Sequence, residues 1–146
     1  MMHNWFECKV SYDKTIDTGE TKKVTEAYLV DAMSFTEAEA RIIEEEKPFV
    51  SGELIVADIK RAKYTEVFMV EDTAADKWFK CKLYFITLDE KSGAEKKTAA
   101  NMLVQSEDLR DAVKRLDEGM KGSMADYQIA SIAETPIMDV YPFKVD

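Results

Sequence analysis

Two stretches of this 146-residue chain alternate apolar and polar residues with a period of two, and they start with nearly the same words. Trp5-Phe6-Glu7-Cys8-Lys9-Val10 returns 73 residues later as Trp78-Phe79-Lys80-Cys81-Lys82-Leu83. Alternation of this kind predicts strands with Phe6, Cys8, Val10 and Tyr12 on one face, and Phe79, Cys81, Leu83 and Phe85 on the matching face. Each is followed by a polar loop containing glycine, Asp13 to Thr21 or Asp89 to Glu95, and then by a second strand, Val24–Asp31 or Thr98–Gln105. That order predicts two hairpins with loops longer than the tightest types.

The apolar period then changes to that of a helix. Phe35, Ala38, Ile42 and Ile43 make one stripe, and Leu109, Ala112, Val113, Leu116 and Met120 make the other. Ser34 and Glu37 have the spacing of a capping box, with Asp108 and Asp111 in the matching places, because a short oxygen-bearing side chain satisfies an orphan amide of the first turn. Pro48 and Gly119 are expected to stop the two helices. A third strand follows in each half, Leu54–Ile59 or Tyr127–Ala133, with an extended continuation to Val70 or to Phe143; Pro136 interrupts the second.

The matches are collinear along the whole chain, through Leu29-Val30 with Leu103-Val104 and Val67-Phe68 with Val140-Tyr141. The expectation is therefore an α+β fold made of two tandem ββαβ repeats with internal pseudo-twofold symmetry, mainly antiparallel sheet with two helices. The repeats are residues 1–73 and 74–146, joined at Asp72–Asp76 and packed together as one globular unit. A single unit of that size has too little core to stand alone, which is why the two are expected to share one.

Composition narrows the function. No apolar run reaches the ~18–20 residues of a membrane span, and the first residues lack the basic-then-apolar pattern of a signal peptide. A cytoplasmic address with no membrane contact is the expectation, and in that compartment Cys8 and Cys81 are expected to be reduced and buried rather than bridged. Net charge is −9. The first half holds 16 acidic and 9 basic residues (net −7) and the second 13 and 11 (net −2), so an anionic ligand fits the second half better.

No arrangement needed for catalysis is present in the sequence. There is one histidine, His3; no P-loop, Rossmann glycine pattern, nucleophile elbow or paired-cysteine zinc motif occurs. The expectation is a protein that is not an enzyme and that uses neither cofactor nor metal. Glu44-Glu45-Glu46 reads as the solvated end of a helix, since consecutive helical residues do not converge on an ion. Asp13 to Gly19 lacks the closing glutamate of a calcium loop.

The polar face of the first strands is the more informative. Trp5 and Lys9 in the first repeat, and Trp78, Lys80, Lys82 and Tyr84 in the second, alternate aromatic and basic side chains, and Lys60, Arg61 and Lys63 follow in the last strand of the first repeat. Bases stack on aromatic rings while cations track phosphates, so this set predicts a non-catalytic module binding single-stranded nucleic acid on a sheet face. Two alternatives stand beside it. The tryptophans could instead be buried core of a duplicated fold, and the chain could be an acidic protein-interaction or regulatory adaptor acting through its helix ends and the loop Lys121–Asp126.

Four segments carry a family resemblance: Asn4-Trp5-Phe6-Glu7-Cys8-Lys9-Val10, Ser34-Phe35-Thr36-Glu37-Ala38-Glu39-Ala40, Gly119-Met120-Lys121-Gly122-Ser123-Met124-Ala125-Asp126 and Ile129-Ala130-Ser131-Ile132-Ala133-Glu134-Thr135-Pro136. Together they make the chain resemble a Bacteroidetes and phage family known as a domain of unknown function. The resemblance implies a small bacterial or phage protein and carries over no functional residue.

Overall fold

In a computed structural model, described for residues 3–143, the chain is α+β, dominated by two four-stranded sheets with one helix each. The elements in order are β1 (Trp5–Thr15), β2 (Thr21–Asp31), α1 (Phe35–Glu46), a 3₁₀ turn (Lys47–Phe49), β3 (Ile55–Ala62), β4 (Glu66–Phe68), β5 (Lys77–Leu88), β6 (Glu95–Ser106), α2 (Leu109–Met120), β7 (Asp126–Glu134) and β8 (Ile137–Tyr141). Both hairpins are longer than the pattern suggests. Strand pairing runs on to Thr15↔Thr21 and Leu88↔Glu95 because the polar residues near the tips still complete the ladder.

The strand orders are β3-β1-β2-β8 and β4-β6-β5-β7. Within each sheet three strands pair antiparallel and the fourth joins in parallel: β8 against β2, and β4 against β6. The chain thus divides into two compact units, residues 1–62 with 136–146, and residues 63–135. These units cut across the sequence repeats. The extended tail of residues 1–73 supplies β4 to the second unit, and the tail of residues 74–146 supplies β8 to the first. A parallel partner needs a crossover of a dozen residues or more, so neither tail can reach its place through a tight turn.

In unit 1, α1 covers one face of its sheet over a core of Phe6, Cys8, Val10, Tyr28, Val30, Ala38 and Ile42. In unit 2, α2 does the same over Cys81, Leu83, Met102, Val104, Leu116 and Met120. Apolar burial of this kind stabilises by roughly 25 cal/mol per Å² removed from water. Both helices start as the spacing predicts: Ser34 Oγ accepts from Glu37 N at 3.1 Å and Asp108 Oδ1 from Asp111 N at 2.8 Å. Asp111 also accepts from Glu107 N at 3.1 Å, so the return arm of this cap reaches one residue beyond the usual place.

The helix ends correct two expectations. Gly119 does not stop α2; it lies inside the helix, where a Cβ would come within 2.8 Å of the Phe68 ring. Its place is set by the close approach of β4, and the reversal in direction falls to Gly122 at φ 91°. Glu46 is not solvated. It is 3% exposed, and its carboxylate accepts from the Tyr141 hydroxyl at 2.6 Å.

Ending the chain after Thr135 would leave the β2 edge of unit 1 unpaired. Amide hydrogen exchange should then become fast at the alternate amides of Ala27–Val30 that point to β8, whereas the amides between them, bonded to β1, stay protected.

Candidate functional site

Register decides what the first strands present. In β1, Phe6, Cys8 and Val10 point to α1, so Trp5, Glu7 and Lys9 lie on the other face. In β5, Cys81 and Leu83 point to α2, so Trp78, Lys80, Lys82 and Tyr84 share the other face. The tryptophans are at the buried ends of these rows, with Trp5 5% and Trp78 2% exposed. Neither ring offers a face on which a base could stack. His3 stacks on Trp5 at 5.2 Å between centroids and bonds Asp31 at 2.5 Å, which fixes the entry to β1.

The remaining basic residues fall into two environments. In unit 1, three charges of β1 on this face each have an opposite charge across the ladder. Lys9 lies opposite Asp58, Glu7 opposite Lys60 and Asp13 opposite Lys23; Lys60 Nζ reaches Glu7 at 3.3 Å. Arg61, paired with Phe6, is on the helix face instead, its guanidinium 5.2 Å from the Phe6 ring and 5.5 Å from that of Phe35. Strand alternation separates it from Lys60, so the run Lys60-Arg61 does not form one patch. Lys63 is exposed just after β3, at the start of unit 2.

In unit 2 the pairing leaves the lysines uncompensated. Lys80 lies between Leu103 and Ala133, and Lys82 between Asn101 and Ser131. Lys82 Nζ sits 5.4 Å from the centre of the half-buried Tyr84 ring, a cation–π contact. Two residues on, Lys97 lies across from Ile86 and continues the row, with Asp126 on the opposite side. Lys97 was not among the residues that sequence pattern singled out. Its signal was available only through the hairpin register, which a one-residue slip would have reversed.

The two thiols are free and buried. Burial pushes Cys8 up to about 12, helped by the nearby charges of Glu7 and Asp58, and burial alone pushes Cys81 up to about 11. Neither has the electropositive setting of a reactive cysteine. Among the described residues, no group of three or more His, Cys, Asp or Glu is arranged to hold a metal ion, and no helix is long and apolar enough to cross a membrane.

The fold and this surface define a small α+β protein with two helix-backed sheets, one of them bearing Lys80 and Lys82 with no acidic residue directly across the ladder. The chain belongs to the family described as a domain of unknown function, DUF4494, whose model matches residues 4–143. No curated protein and no solved structure matches it.

Both thiols should resist iodoacetamide at pH 8 in the folded protein and react rapidly in denaturant. Their folded values lie above the ordinary 9.0, so their contribution to stability is complete below pH 9 and is lost as the pH rises through about 11 and 12. Tyr12, raised to about 12 by its hydrogen bond to Glu26, acts in the same direction from an ordinary 10.0. The urea midpoint should therefore fall between pH 9 and 12.

Proposed function

We propose that this protein is a non-catalytic binding module of the cytoplasm, of Bacteroidetes or phage origin, built by duplication of a ββαβ unit. Its ligand is single-stranded nucleic acid held along β5 of unit 2. The observation that carries this reading is the absence of acidic cross-strand neighbours beside Lys80 and Lys82, where Lys9 in unit 1 faces Asp58. Uncompensated lysines on a pleated row track phosphates, and Tyr84 supplies the one aromatic surface at this row that is not fully buried. With Trp5 and Trp78 buried, affinity comes mostly from charge and sequence preference is slight. Trp5, Lys9, Lys60 and Arg61 take no direct part, and Lys63 adds only general positive charge.

A second reading, a protein-interaction adaptor, is favoured by one observation. Met124, in the loop Lys121–Asp126, is fully exposed and presents an apolar side chain that a protein partner could cover.

Fluorescence anisotropy of labelled oligo-dT separates the two. Binding should weaken as salt rises, and the double variant Lys80→Ala/Lys82→Ala should lower the slope of log K against log salt by about 1.4, two phosphate contacts at ~0.7 each. Lys9→Ala should leave it unchanged. Salt-insensitive binding, or an equal effect from Lys9→Ala, would contradict the nucleic-acid reading.

A further inference from the structure

The two units differ most where the C-terminal end of the helix meets the parallel fourth strand. In unit 1 this place is filled by a hydrogen-bonded set. Tyr12 donates to Glu26 at 2.6 Å, Tyr28 donates to Glu26 at 3.2 Å, and Tyr141 donates to Glu46 at 2.6 Å. Matching register positions in unit 2 hold Phe85, Ala100, Met102, Met120 and Phe68, so no hydroxyl or carboxylate remains in that set. What unit 1 fills with polar side chains, unit 2 leaves as a cavity of about 340 Å³, lined by Phe68, Phe85, Met102, Gly119 and Met120 with Thr65, Glu66 and Ser123.

Three features of the cavity define an occupant. Its volume is at the lower end of the ~300–1,000 Å³ typical of ligand pockets. Its walls are aromatic rings and two methionines, which adapt to flat or chain-like apolar bodies. Its lining carries one charge, the Glu66 carboxylate, and no cation. Glu66 pairs with Met102 in the β4–β6 ladder and so shares the face of the strand that carries Phe68. The adjoining cleft, on the other side of Phe68, adds Glu118 and Arg115, and Arg115 is already held by Asp111 at 2.6 Å and Asp72 at 3.1 Å. The cavity itself therefore offers one carboxylate and no cation, and an anionic head would meet Glu66 there.

We propose that this cavity binds a small amphiphilic amine, an aromatic or aliphatic body in contact with Met102, Met120 and Phe85 and a protonated amino group at Glu66. Gly119 is part of the site. A side chain there would drive the Phe68 ring aside, and Phe68 separates the cavity from the adjoining cleft. The site is on the helix face of the sheet, away from Lys80 and Lys82, so it is independent of nucleic-acid binding.

The test is methionine-methyl NMR on the full chain, with Met102 and Met120 assigned by leucine substitution, titrated with three probes of similar shape. Tryptamine should give saturable shifts at both methyls, neutral 3-ethylindole weaker ones, and anionic indole-3-propionate none. Glu66→Gln should weaken tryptamine about fivefold and leave 3-ethylindole unaltered. Glu66 is exposed, so this variant is expected to fold. No saturable shift at Met102 or Met120 from any probe would overturn the proposal. So would an equal response to the anionic probe, or shifts confined to other methionines.

Discussion

The parallel pairing of β8 with β2, and of β4 with β6, is the constraint on which both units rest. Without these strands, β2 and β6 would each present a row of unpaired amides and carbonyls, the kind of edge that recruits other chains. The fourth strands also bring in the residues that finish each core at the helix end, Tyr141 in one unit and Phe68 in the other. In unit 1 the same segment is tied to the helix, because Arg41 donates to the carbonyls of both Asp31 and Pro142, the latter at 3.1 Å. Its guanidinium also lies over the Phe143 ring at 5.6 Å. In unit 2 the corresponding charge, Arg115, grips carboxylates instead, holding Asp72 just after the β4 segment. One sequence position thus secures the incoming strand in two chemically different ways.

Local physics was readable in the chain. The capping residues Ser34 and Asp108 and the inward rows Phe6-Cys8-Val10 and Cys81-Leu83 follow from local pattern, and the structure has them in place. Of the helical stripes it buries Ala38 and Ile42, and Ala112, Leu116 and Met120, but leaves Phe35, Ile43, Leu109 and Val113 exposed at the stripe margins. Partnerships between distant segments were not readable. A three-residue strand such as Glu66–Phe68 carries no periodic signal, and nothing in its composition says which sheet edge it joins. The same limit hid the role of Gly119, whose missing side chain matters only because Phe68 arrives from 51 positions earlier. It also left the burial of Trp5 and Trp78 as one of two alternatives, since an alternating strand tells which side a ring points to and not whether that side is covered. Of the basic row, Lys80 and Lys82 were legible from alternation, whereas their lack of acidic neighbours needed the register of two further strands.

Two units with the same strand order have taken opposite solutions to one packing problem. Unit 1 places carboxylates at Glu26 and Glu46 and satisfies them with tyrosine hydroxyls, which holds Tyr28 and Tyr141 well above the usual phenol range through burial and the adjacent acids. Buried polar groups satisfied in this way fix geometry closely, because any rearrangement leaves one unpaired. Unit 2 uses methionine and phenylalanine at the same places, whose contacts are non-directional and tolerate rearrangement. The first unit is therefore the stiffer of the two at its helix end, and the second the more accommodating.

The crossed supply of fourth strands also orders events in time. As the chain leaves the ribosome, residues 63–135 can complete their sheet as soon as β7 has emerged, since β4 precedes the rest of that unit. Residues 3–62 appear first but finish last, because their fourth strand is made only after β7. Until Ile137–Tyr141 are made, β2 keeps an open edge, although every other strand of its sheet already exists. The protein is in this sense assembled from the inside of its sequence outward.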